Sequence, residues 1–258
     1  WAAEVDGAPL ALRAASDAER AARDAAQGFD WSSCGQAVEL DAALLFRATA
    51  GGGRSHALLQ EHLAGLLAPL GPQARVRGIA VGDHPQAHLR PRFVTSLQPS
   101  WGDAASLAGF VAEVLADPVE GIDVPDAFEV ALQQACELDW RPGATRVVLV
   151  LTDVPCHLPE NPPYTQVRWQ DAVERLREAG AAVIGVHVQG GGRPPSVLRS
   201  ARAFLDELDP GCVALGGEVP AELHARLAEL AARRRPDPAG QALIDALGGW
   251  SLQGAPAP

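Results

Sequence analysis

Two hydrophobic rhythms alternate along this chain, one of short apolar runs and one of helical spacing. Residues 145–153, TRVVLVLTD, are apolar without a break from Val147 to Leu151 and end on Thr152 and Asp153. The run is short and rich in β-branched valines, which favours a strand buried on both faces over a core helix. Residues 38–46 form a second such run, with others at 75–81, 182–188 and, shorter, 212–215. Between them the spacing becomes helical: in residues 54–67, Leu58, Leu59, Leu63, Leu66 and Leu67 share one face, and Gly71 and Pro72 stop the pattern. Further helices are expected at 103–115, 124–138, 167–179, 196–208 and 218–234. Residues 92–97 alternate sides between Pro91 and Pro99 and read as an edge strand.

Strand and helix thus take turns, the signature of a doubly wound α/β fold: a mostly parallel sheet with one antiparallel edge strand and helices on both faces. The expected organisation is an N-terminal extension over 1–37 with a helix near 17–27, the α/β domain over 38–234, and a proline-punctuated tail over 235–258 with a short helix at 241–247. Ligands of such sheets sit just outside the carboxyl ends of the strands, so the site is expected around Asp153 and the loop that follows it.

Composition narrows the partners. The 258 residues are 47% hydrophobic and 21% charged, enough for a large core. Lys and Arg number 21 against 32 Asp and Glu, a net charge of −11, which speaks against a nucleic-acid or anionic membrane surface as partner. No apolar run approaches the ~20 residues of a membrane helix, and the N-terminus lacks the pattern of a signal peptide. The chain opens on Trp1 and has no methionine, the mark expected of a piece of a longer protein. Cys34, Cys136, Cys156 and Cys212 show no C-x-x-C pairing, so thiols of a cytoplasmic protein are expected rather than a zinc site.

Three stretches carry a resemblance: GIDVPDAFEVAL from Gly121, LDWRPGATRVVLVLTDVPCH from Leu138 and RLREAGAAVIGVHV from Arg175. In this order of elements the chain resembles a von Willebrand factor type A domain of the bacterial-style branch. The likeness covers roughly residues 38–234. It implies a protein-interaction module, often one that works with an AAA+ ATPase or beside other domains of one system. It also implies a metal-ion-dependent adhesion site, with D-x-S/T-x-S after the first strand, a Thr or Asp from a second loop and an Asp after the central strand. Asp123 and Asp153 match two of the acids and Thr49 the middle hydroxyl, but Arg47 stands in place of the first Asp and Gly51 in place of the second hydroxyl. A register using Asp41 instead would bury that acid in mid-strand. Mg²⁺ needs oxygen ligands, and a guanidinium has donors and no lone pair to give. The resemblance therefore implies a degenerate site without metal or cofactor, in which Arg47 pairs with Asp123, Asp153 or both and lowers their pKa values. A compatible reading has Asp123 cap the helix after it, with Pro125 in its first turn. The expected partner-binding rim is Arg47, Thr49, Gly51, Asp123, Asp153, Cys156 and His157.

The same rim has an alternative reading as a hydrolase or nucleotide-binding enzyme using Cys156 and His157. Neighbours in sequence make a weak nucleophile–base pair, since a working one needs geometry and a third orienting group. The glycines 51–53 lack both phosphate-loop patterns, G-x-x-x-x-G-K-[ST] and G-x-G-x-x-G. His56, His62, His84 and His88 have no companions at metal-ligand spacing and read as solvated or core-edge residues.

Overall fold

The computed structural model describes residues 3–5, 8–10, 35–37, 39–85, 91–121, 124–158, 168–189, 192–232 and 234–236. The chain divides into two compact units, one made of 1–36 with 234–258 and the other of 37–233. In the first, strands β1 (Ala3–Val5) and β2 (Ala8–Leu10) pair antiparallel. Strand β3 (Gly35–Ala37) pairs with the last strand of the chain, β10 (Arg234–Pro236). The helices expected near 17–27 and 241–247 lie outside the described residues.

The second unit is the doubly wound sandwich. Its elements run β4 (Leu40–Arg47), α1 (Gly53–Leu67), β5 (Arg75–Val81), β6 (Thr95–Leu97), α2 (Ala104–Ala116), α3 (Phe128–Cys136), β7 (Thr145–Thr152), α4 (Trp169–Glu178), β8 (Ala181–Val188), α5 (Pro195–Leu208), β9 (Val213–Leu215) and α6 (Ala221–Ala231). The sheet order is β6-β5-β4-β7-β8-β9, and every pair is parallel except β5 with the edge strand β6. This is the Rossmann-like α/β architecture that the sequence pattern leads one to expect.

Side chains leave a strand on alternate faces, and the two cores follow that period. Ala42, Leu44 and Phe46 with Val147, Leu149 and Leu151 meet the leucines of α1 and the apolar faces of α2 and α6. Ala43 and Leu45 with Val148 and Val150 meet α3, α4 and α5 through Phe128, Leu132, Trp169, Leu176 and Phe204. Asp103 caps α2, its carboxylate accepting from Ser106 N–H at 2.8 Å.

One element starts later than its apolar spacing predicts. Helix α3 begins at Phe128, with Ala127 as N-cap and no side-chain cap, so Pro125 lies outside its first turn, while the capping role expected of Asp123 falls outside the described residues. The residues before it are tied to other loops instead. Asp126 bridges to Cys156, and Ala127 N–H donates to the Gly82 carbonyl at 3.1 Å. That pairing of two loops, between elements remote in sequence, overrides the local helical signal.

Candidate functional site

Strand β4 lies between β5 and β7, and the chain leaves its two neighbours in opposite directions, so the carboxyl ends of β4 and β7 form the switch point of the sheet. Arg47 is the last residue of β4 and Asp153 the first after β7. Their strands are in parallel register, with Phe46 opposite Leu151, which brings the two side chains to the same end. Arg47 is 5% exposed and Asp126 and Asp153 are 0% exposed. The guanidinium spans the two acids: Arg47 Nε donates to Asp126 Oδ2 at 2.8 Å and Nη1 to Asp153 Oδ1 at 3.1 Å. Thr49 Oγ1 donates to Asp126 Oδ2 at 3.2 Å.

A second arginine closes the group from the other side. Arg193, in the turn between β8 and α5, donates from Nε to Asp153 Oδ2 at 3.4 Å and from Nη2 to the Gly51 carbonyl at 2.6 Å. Gly51 is exposed, and a Cβ there would stand 2.8 Å from Arg193 Nη2 and 3.1 Å from Arg47 Nη2. At the next position a Cβ would collide with the His56 ring, 2.2 Å from Nε2. Glycine at 51 and 52 is thus the condition for two guanidinium groups and an imidazole to crowd one turn of backbone.

Charge states follow from burial. Desolvation pushes the Asp126 carboxyl up to about 7, against the pull of the Arg47 guanidinium, so the expected lowering does not hold for this acid. Burial, and after it the charge of Arg47, pushes His56 down to about 4, leaving a neutral imidazole near neutral pH.

Cys156 and His157 do not pair with each other. Both are buried beneath the rim, where the Cys156 thiol donates to Glu129 Oε2 at 3.1 Å and His157 Nε2 lies 3.1 Å from Asp83 Oδ1. Glu129 also meets His84 Nε2, and the His84 and His157 rings stack edge to face at 5.2 Å. Burial, reinforced by the Glu129 charge, pushes the Cys156 thiol well above its ordinary value, the reverse of what a nucleophilic thiolate needs. Among the described residues no group of three His, Cys, Asp or Glu is placed to hold a metal ion.

Of the expected rim, Arg47, Thr49, Gly51 and Asp153 come together, and Asp123 lies outside the described residues. The residues that sequence reasoning missed are Asp126, Arg193 and His56. Asp126 is the second acid of GIDVPDA and was hidden behind the family-like Asp123. Arg193 is the single cation in the glycine and proline turn GGGRPP. His56 has no companion at a recognisable spacing, and only the packing of α1 brings it to the rim.

No family model and no curated protein matches the chain. Among solved structures it is similar to proximal thread matrix protein 1 of the mussel byssus with a zinc-occupied MIDAS motif, at 16% identity and a TM-score of 0.53 over 77% of this chain and 48% of that one. It is also similar to the pilus adhesin SpaC of Lactobacillus rhamnosus GG in an open conformation, at 13% identity and a TM-score of 0.52 over 82% of this chain and 31% of that one. The chain spans less than half the length of either, and at such identities the likeness is one of fold.

Proposed function

We propose that this chain is a protein-interaction module of the von Willebrand A type whose adhesion site has lost its metal and holds Arg47 in the metal's place. The observation that carries the reading is the Arg47 guanidinium, bonded to Asp126 and Asp153 at the switch point of the sheet. Where the related pattern has an acid to ligate a cation, this chain has a cation of its own, tied to two carboxylates. A divalent ion added beside it would meet like charge and a ligand set short of oxygens.

The surface beside this cluster suits a protein partner. Among the described residues only Val124 and Leu158 are large apolar side chains that are exposed, at 37% and 49%, and they lie in the loops that carry Asp126 and Asp153. The adhesion and matrix proteins of similar fold fit the same reading. Among the described residues the hydrolase alternative finds no nucleophile–base pair, because Cys156 and His157 are engaged with separate carboxylates. An AAA+ ATPase as partner, and a cytoplasmic location, rest on the resemblance and the thiols alone.

Calorimetry with Mg²⁺ and Mn²⁺ tests the proposal, and no saturable site is expected. One saturable site of micromolar affinity, lost in Asp153→Ala, overturns it. The double change Arg47→Asp with Gly51→Ser restores the two missing oxygens and is expected to gain Mg²⁺-dependent thermal stability. The new Cβ at 51 displaces only the flexible end of Arg193.

A further inference from the structure

We infer that the groove between α4 and α5 is a second docking surface, one that takes an arginine side chain of a protein partner. Its wall carries three carboxylates, Glu174 and Glu178 one turn apart on α4 and Glu207 on α5. Among the described residues Glu174 and Glu178 have no hydrogen-bond or ion-pair partner, and Glu207 accepts from the Gln170 amide alone, at 3.4 Å. Arg177 also lines the groove, but it donates from Nη2 to the Leu208 carbonyl and makes no ion pair with any of the three acids. The groove is thus an acidic surface without its counter-cation.

Acids on a helix face are ordinarily solvated and mark nothing by themselves. What sets this groove apart is the polar atoms in its floor. Trp169 lines the cavity and is only 3% exposed, yet its indole N–H has no hydrogen-bond partner. Gln170 Oε1, next to it, is buried in the same condition. A buried indole N–H ordinarily finds an acceptor, so one donor and one acceptor here await a ligand that carries both. The ring cannot swing away to find a partner, because it is packed edge to face on Phe204 at 5.1 Å. The cavity above it measures about 400 Å³, within the ~300–1,000 Å³ usual for ligand clefts.

Charge and donor count select the ligand. Strands β7, β8 and β9 are parallel, so α4 and α5 run the same way and end side by side. Glu178 and Glu207 stand in those last turns, where the negative ends of two helix dipoles add to the acids and favour a cation. The acceptors are spread over two helices, three carboxylates and the Gln170 oxygen. A guanidinium offers five donors in a planar fork and can serve several of them at once, whereas an ammonium is a compact point with three. Val173, buried in the wall, gives the arginine methylenes an apolar bed. A backbone carbonyl beside that arginine supplies the acceptor for the Trp169 N–H, which is why the ligand is a residue of a polypeptide. This surface is separate from the Arg47 cluster, and it stands or falls without it.

The experiment titrates acetyl-Ala-Arg-Ala-amide, the same peptide with citrulline or lysine at its centre, and free L-arginine into ¹⁵N-labelled protein at constant ionic strength. It follows the indole N–H resonance of Trp169, assigned by its loss in Trp169→Phe. The arginine peptide is expected to shift that resonance saturably, with the citrulline peptide roughly tenfold weaker and the lysine peptide and free arginine weaker by about threefold or more. Glu174→Gln with Glu178→Gln and Glu207→Gln, all at exposed positions, is expected to weaken the arginine peptide by roughly tenfold. Glu61→Gln with Glu222→Gln and Glu229→Gln makes the same change of net charge on the exposed faces of α1 and α6, and is expected to keep the affinity within about twofold. The inference is overturned by a Trp169 resonance that the arginine peptide leaves unmoved, or by citrulline, lysine or free arginine binding as tightly as that peptide. Undiminished binding in the groove variant, or equal losses in the two triple variants, overturns it as well.

Discussion

Arg47 holds two buried carboxylates, and its removal leaves both without their cation. Arg47→Ala is expected to lower unfolding free energy in urea by roughly 3 kcal/mol, the scale for one lost partner of a buried ionic group. Arg92→Ala, which breaks the exposed pair with Asp117, is expected to change it by less than about 1 kcal/mol. The same cluster also makes a prediction about pH. Asp126 gives up its proton near 3.8 in the unfolded chain and near 7 in the folded one, so the folded state holds the extra proton between those values and stability falls as pH rises through the window. His56 acts in the opposite sense. Its folded pKa of about 4 against 6.5 unfolded means that stability is gained as pH rises over that interval. The two slopes mask each other in the native protein. Urea midpoints between pH 4 and 7 are expected to rise with pH in Asp126→Asn and to fall in His56→Gln. The same slope in both variants would show that these groups do not titrate as described.

At the scale of elements, the amino end of the sheet is locked by a different acid. Asp41, fully buried in β4, accepts from Arg75 Nε and Nη2 at 3.0 and 2.6 Å and from Arg141 N and Nε at 2.8 and 2.7 Å, which ties β4 to β5 and to the turn before β7. Burial alone would raise its pKa, but the combined hydrogen bonds and charge of Arg75 and Arg141 hold it below 3.8. Its contribution is present above that value and is lost as pH falls through the lower folded pKa. Asp41→Ala is expected to cost about 3 kcal/mol in chemical denaturation, since two arginines lose their acceptor. A cost under about 0.5 kcal/mol would show the lock to be idle. Asp41 is the second residue of β4, and its partners are visible only once the strands are aligned, Asp41 opposite Arg75. The opening of α3 teaches the same lesson, because its boundary is decided by a bridge between Asp126 and Cys156 that no local pattern reports.

For the whole molecule, the thiol state is the simplest check on setting. Cys136, Cys156 and Cys212 are free, and Cys34 lies outside the described residues. A thiol reagent in denaturant is expected to find four groups, and two or none would point to an oxidising compartment. The doubly wound sheet and its edge strand were legible in the chain, because they depend on period. An apolar run of β-branched residues can be buried on both faces only in a covered parallel sheet, and the helical spacing between runs forces the crossovers. The place of Arg47 at the end of β4 was legible for the same reason. What the tertiary structure alone decided is which carboxylate meets it and what stands beside it. Asp126 and Arg193 are 79 and 146 residues away along the chain in loops without periodic pattern, and they reach Arg47 and Asp153 because paired backbones in the folded sheet carry them there. Local pattern reports how a segment repeats and never how two loops meet, so the sequence determined the scaffold while long-range packing chose the residues of the site.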